Sequence, residues 1–269
     1  MSEEPDIPFP GEDARKRVRA NIVRQNLDAD LGKLKRQKRF GIPLMVIGVL
    51  LCAAFLVPVT WVAMYRLLDA PGTVLMMARA ADGERIRHEA VPIDRMSPHI
   101  VRAVIAAEDA RFCEHDGFDI EAIQQAMKNN EKGGRVRGAS TVSQQTAKNL
   151  FLWPARSWLR KALETYYTGL IEFMWPKRRI MESYLNAAEW GDGIFGVEAA
   201  AQARFGVSAE NLSPLQAARL AAVLPNPHEW RADRPGPYVR RRAATIVQRA
   251  RVVGNNGLAA CVLSPQGFQ

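Results

Sequence analysis

At 269 residues the chain has room for one sizeable domain or two small ones. With 48% apolar and 24% charged residues it is excluded from the disordered class. The formal net charge of +9 favours anionic partners: nucleic acid, acidic lipid headgroups or phosphorylated substrates. The three cysteines, Cys52, Cys113 and Cys261, are odd in number and widely spaced, so neither a disulfide framework nor a zinc signature is expected. The four histidines are scattered too, which argues against a His/Cys metal site.

In chain order, residues 1–39 carry both signs of charge and read as a solvated tail. Residues 40–65 then run for 26 positions without a charge. As a helix they would span about 39 Å, enough to cross a hydrocarbon core of about 30 Å with tilt. The run starts too late and is too long for a cleaved signal peptide. Lys33, Lys35, Arg36, Lys38 and Arg39 precede it, whereas only Arg66 follows at once. The positive-inside rule therefore predicts a cytoplasmic basic tail at 1–39, a transmembrane helix at 40–65 and an external domain at 66–255, followed by a C-terminal tail at 256–269. That topology removes nucleic acid as a partner of the large domain and brings it beside lipid-borne substrates.

Beyond the anchor, Thr73–Met77 and Arg85–Val91 have short strand character. From there the periodicity is helical, and the class is mainly α. Ser97-Pro98 is a capping hydroxyl followed by a first-turn proline, and Ile100, Val101, Val104 and Ile105 make one apolar face that ends at Glu108. Asp119 can cap a helix carrying Ile120, Ile123 and Met127. A glycine-rich basic loop follows, NNEKGGRVRGAS. Helices are then expected near 140–151, 157–174, 176–188, 196–204, 213–224 and 236–254, with Ser213-Pro214 repeating the cap pattern.

Two segments carry the chemistry. In AAEDARFCEHDGFD, Glu108 and Asp109 stand beside Phe112 and His115. A glutamate ending an apolar helix is open to partial burial, which raises its pKa toward that of a general base. In GASTVSQQTAKNLF, the residues Ser140, Thr141, Gln144, Gln145, Lys148 and Asn149 gather groups that bind sugar hydroxyls and phosphate oxygens. Ser140, Gln144 and Lys148 follow i, i+4, i+8 and are expected along one side of a helix. Glu164 lies four residues after Arg160, a spacing that suits an ion pair, and taken alone that pair is the simpler reading.

These blocks resemble the peptidoglycan glycosyltransferases of glycosyltransferase family 51. The first is similar to E-D-x-x-F-x-x-H-x-G, at Glu108, Asp109, Phe112, His115 and Gly117. The second is similar to G-x-S-T-x-x-Q-Q-x-x-K-N, at Gly138, Ser140, Thr141, Gln144, Gln145, Lys148 and Asn149. The third, R-K-x-x-E, falls on Arg160, Lys161 and Glu164, with Arg156 ahead of it. The fourth, K-x-x-I-x-E-x-Y-L-N, is carried by Lys177, Ile180, Glu182, Tyr184, Leu185 and Asn186, and an alanine-rich fifth lies at 212–225. The likeness runs over roughly residues 70–255. No transpeptidase-type S-x-x-K segment follows, so it is to the monofunctional branch. Ala203-Arg204-Phe205 departs from an aromatic pair common in the family, and Cys113 stands at a variable position.

The resemblance implies a lysozyme-like, two-lobed helical domain behind the membrane helix, at a bacterial inner membrane. It implies polymerisation of lipid II into β-1,4 glycan strands by inverting transfer from an undecaprenyl-pyrophosphate donor. Glu108 would be the general base and Glu164 a second catalytic residue near the donor. Asp109, Phe112, His115, Ser140, Thr141, Gln144, Gln145, Lys148, Asn149, Arg156 and Arg160 would bind substrate. No resident cofactor or protein metal site is implied, although Mg²⁺ or Mn²⁺ could assist at the pyrophosphate. Lipid II, the nascent glycan, the membrane and other cell-wall synthesis or division proteins are the implied partners. A lysozyme-like glycan-cleaving enzyme and a non-catalytic membrane-anchored scaffold are the alternatives.

Overall fold

Capping residues set most helix boundaries in the computed structural model, which describes residues 11–131, 140–155 and 157–264. Residues up to Val57 form one unit and those from Pro58 another. From Glu12 onward the described part of the first unit is helical, as part of α1 (Glu12–Leu67). Its side chains from Leu44 to Phe55 include Leu50 and Leu51, both more than 60% exposed, so this apolar surface has no protein cover. Pro43–Leu67 is long and apolar enough to cross a membrane, close to the expected 40–65.

In the second unit the last turns of α1 enter the core. Val62 is fully buried, and the Trp175 indole donates to its carbonyl at 2.9 Å. Arg179 donates to the carbonyls of Tyr65 and Leu68 and pairs with Asp69 at 2.8 Å. The guanidinium thus satisfies acceptors that a helix C-terminus leaves open, where positive charge is also favoured. Trp61, Tyr65, Phe151, Tyr167 and Trp175 form a chain of ring contacts around this joint.

Where the sequence suggests a strand at Thr73–Met77, the structure has α2 (Val74–Ala81). The β-branched Thr73 and Val74 give the strand signal. Thr73 instead caps the helix, its hydroxyl accepting from Met76 N, and the Leu-Met-Met-Ala run that follows favours helix. Of Arg85–Val91 only β1 (Arg87–His88) pairs, parallel to β3 (Ile194–Phe195); β2 (Glu189–Gly191) joins β3 antiparallel with an irregular register.

The helical expectations are met closely. α3 (Pro98–Glu108) is capped by Ser97 and α4 (Ile120–Glu131) by Asp119, whose carboxylate accepts from Ala122 N at 2.9 Å. Then come α5 (Val142–Phe151), α6 (Trp158–Met174), α7 (Lys177–Ala187), α8 (Val197–Phe205), α9 (Pro214–Val223) and α10 (Pro237–Asn255). Within 256–269, Ala260–Leu263 form α11, which packs on α7 and buries Val262 completely.

Helices α3, α9 and α10 pack on one another, and α5 packs on α6 and α7. A single apolar core joins the two groups. One disulfide, Cys113–Cys261, ties the loop after α3 to α11. This corrects the expectation drawn from the cysteine spacing: the partners lie 148 residues apart, and only the packing of α11 brings them together.

Candidate active site

Glu108 is the last residue of α3, and the buried residues of that helix fix where its carboxylate emerges. The side chain is 14% exposed. One oxygen accepts from the Gln145 amide at 3.1 Å, and the other lies 3.6 Å from the Arg242 guanidinium on α10. Burial raises the Glu108 pKa and outweighs the opposing pull of the Gln145 hydrogen bond and the Arg242 and Lys148 charges. Gln145 is itself held: the Tyr184 hydroxyl, wholly buried on α7, donates to its carbonyl oxygen at 3.3 Å. Burial and the nearby Glu108 and Asp109 charges push the Tyr184 pKa far up, so this hydroxyl keeps its proton and remains a donor.

Asp109 does different work. Its carboxylate accepts from Val142 N at 2.9 Å, in the first turn of α5, and contacts the His115 ring nitrogen at 2.9 Å. A carboxylate at a helix N-terminus is favoured by the exposed N–H groups and the dipole. Thr141 and Gln144 form a capping box, and the Thr141 hydroxyl also donates to the Gly117 carbonyl at 2.6 Å. Gly117 has φ +87, and a Cβ there would meet Thr168 and Glu172 side-chain atoms at 2.8 and 2.9 Å, so no other residue fits. Phe112 is fully buried, with the Lys177 ammonium 4.7 Å from its ring centre; the same ammonium donates to the His115 carbonyl at 2.5 Å. Asp109, Phe112, His115, Thr141 and Gln144 thus brace the loop and the start of α5.

Two cavities open beside this brace. One, of about 340 Å³, is lined by Glu108, Asp109, Arg111, Asp119, Asn129 and Ser140 among others. The other, of about 290 Å³, is lined by Lys148, Asn149, Arg160, Leu152, Trp153 and Leu75 among others. Glu164 supports the second from α6: it is buried, 2.5 Å from the Lys161 ammonium and 3.7 Å from Arg160. The expected Arg160–Glu164 pair is therefore present, with Lys161 as a closer partner. Lys148 is pushed below its usual pKa, chiefly by burial and further by Arg160 and Lys161, against the Glu164 and Glu108 charges.

The structure thus gathers Glu108, Gln145, Lys148, Asn149, Arg160 and Glu164 about the two cavities. Ser140 lies before α5 and Gln144 is buried in its cap, so the expected Ser140–Gln144–Lys148 line does not form. Gln145 and Lys148, one turn apart, take that role. Gly138 and Arg156 lie outside the described residues. Arg242 and Tyr184 were not singled out as site residues from sequence. Tyr184 stands in the fourth motif, while Arg242 is one of three consecutive arginines with nothing local to distinguish it. Among the described residues no group of three or more His, Cys, Asp or Glu is arranged to hold a metal ion.

A mainly helical domain with a buried carboxylate beside a cationic cavity defines a candidate for group transfer between two bound partners. The family model described as Transglycosylase matches residues 75–251, and the chain belongs to that family. It is 58% identical over 202 residues to a biosynthetic peptidoglycan transglycosylase of Rhodospirillum centenum, covering 75% of this chain and 87% of the relative. Proteins of the same name from Caulobacter vibrioides (54% identical; 79% of this chain, 95% of the relative) and Pseudomonas aeruginosa (52%; 74% and 88%) are also similar.

Proposed function

We propose that the chain is a membrane-anchored peptidoglycan glycosyltransferase that polymerises lipid II, with Glu108 as general base. The observation that carries the reading is a buried carboxylate of raised pKa, aligned by Gln145, that lines one cavity and feels the charge of Lys148, which with Arg160 lines a second. The acceptor sugar sits in the first cavity, its 4-hydroxyl toward Glu108. Glu108 takes the hydroxyl proton and the oxygen attacks the donor anomeric carbon from the face opposite the pyrophosphate. The carbon–oxygen bond to the pyrophosphate breaks with inversion, and the leaving group departs with the electron pair. Lys148 and Arg160 lie where that group gains charge, and preorganised cations at such a point are worth most in a dry site. Glu164 holds Arg160 and Lys161 in place. The chain's own cations supply the positive charge at this point.

Residues 1–39 are assigned to the cytoplasm, the exposed apolar part of 40–65 to the membrane and the remainder to the outer side. The basic flank supports this orientation. So does the Cys113–Cys261 disulfide, since such bonds persist in oxidising compartments and are rare in the cytosol. The test is to incubate the full chain in detergent with lipid II and, separately, with finished peptidoglycan. Growth of long glycan products from lipid II is expected; soluble fragments released from peptidoglycan, with no growth, would replace this reading by glycan cleavage.

A further inference from the structure

A third cavity, of about 350 Å³, lies at the far end of the α3–α10 pair. Glu108 meets Arg242 at one end of that pair, and His99 and Arg102 on α3 face Arg251 and Gly254 on α10 at the other. At 1.5 Å per residue, His99 lies about 13 Å along α3 from Glu108. The cavity shares no lining residue with either cavity of the candidate active site.

Its lining combines cationic and apolar residues. Arg102, Arg251, His99 and Asn255 are its polar lining residues, and Val247, Ala250 and Pro214 its apolar ones. No carboxylate lines it, and neither arginine has an acidic partner among the described residues. The Arg102 Nε is buried and has no hydrogen-bond partner among the described residues. Gly254 makes the position of that side chain feasible, because a Cβ there would fall 3.3 Å from the same Nε. Leaving a buried cationic donor unmatched is costly, and two guanidinium forks suit the oxygens of a phosphate better than a single carboxylate. The apolar lining residues offer a place for the organic part of such a ligand.

We propose that this cavity binds a phosphate ester, with the phosphate between Arg102 and Arg251 beside His99 and the organic part against Val247 and Ala250. The source is either a soluble ester or a phospholipid headgroup, and both present the same oxyanion. Burial and then the Arg102 charge hold the His99 imidazole below its usual pKa. Arg251 from α10 adds a second cation, while α9 contributes only the uncharged Pro214 to the lining. A bound phosphate offsets those charges, so the His99 pKa must rise on binding.

The test uses the full chain in a neutral detergent, with the His99 ring signal followed by NMR and identified by its loss in His99→Gln. Inorganic phosphate is titrated at ionic strength matched with chloride. The expected result is a saturable shift of the His99 signal, a raised His99 pKa, and affinity lowered about tenfold or more in Arg251→Gln and Arg102→Gln. Arg251 lies at the exposed rim, so its variant decides the matter even if Arg102→Gln fails to fold. A His99 signal that chloride moves equally, or that shifts equally in the Arg251→Gln variant, overturns the proposal. Lipid nanodiscs containing phosphatidylglycerol then identify the source. A His99 shift there without free phosphate points to a headgroup, and a shift confined to the inorganic ion points to a soluble ester.

Discussion

On one side of the candidate active site a carboxylate, Glu108, is buried with an amide and a guanidinium as partners, and its pKa rises. On the other an ammonium, Lys148, is buried beside Arg160 and Lys161 with Glu164 as counter-charge, and its pKa falls. Burial is the leading cause in both, and it drives each group toward its neutral form. The consequences differ. A carboxylate of raised pKa is a stronger base and better matched to a hydroxyl proton. A cluster of three cations around one carboxylate is over-charged until an anion arrives, and an arriving pyrophosphate restores the balance. One side is built to take a proton, the other to receive negative charge.

Changes confined to one side separate these roles. The largest effect is expected for Glu108→Gln, which keeps shape and removes the base: polymerisation should fall by about 10²- to 10⁴-fold. Product length on gels, with the unfolding temperature as control, checks it. Lys148→Ala comes next, with turnover and donor affinity falling together by about 10-fold or more, as expected for a lost charge-assisted contact. A lower unfolding temperature with unchanged kinetics would assign Lys148 to structure alone. Cys113→Ser should leave the chemistry in place and cost about 2–5 kcal/mol of stability, the usual loss on removing a native disulfide. Denaturant unfolding with and without a dithiol reductant measures it; the reductant should weaken the parent chain and leave the variant unchanged.

The smallest effect is a shift along the pH axis. Glu108 acts as a base only when ionised, so the acidic limb of the rate profile should lie above the range of an ordinary carboxylate. Arg242 favours the ionised form, so Arg242→Gln should move that limb to still higher pH. A limb that stays in place would remove Arg242 from the electrostatics of Glu108.

Much of this was legible in the sequence, for local reasons. Ser97-Pro98 and the apolar spacing after it place Glu108 at the end of α3, and the four-residue spacing of Arg160 and Glu164 foretells their pairing. The brace at Thr141 and Gln144 has a local signal too, because Thr-x-x-Gln before an apolar run is a capping box. The remainder depends on tertiary contacts. Which of Arg240, Arg241 and Arg242 faces Glu108 is settled by how α10 packs on α3. The Cys113–Cys261 pair depends on α11 docking against α7, and an odd count of distant cysteines hides it.

The most direct measurement follows lipid II with Glu108→Gln, recording binding and polymerisation on the same sample. The account predicts binding close to that of the parent chain and almost no glycan product at any pH. Glycan synthesis at the parent rate by that variant would contradict it.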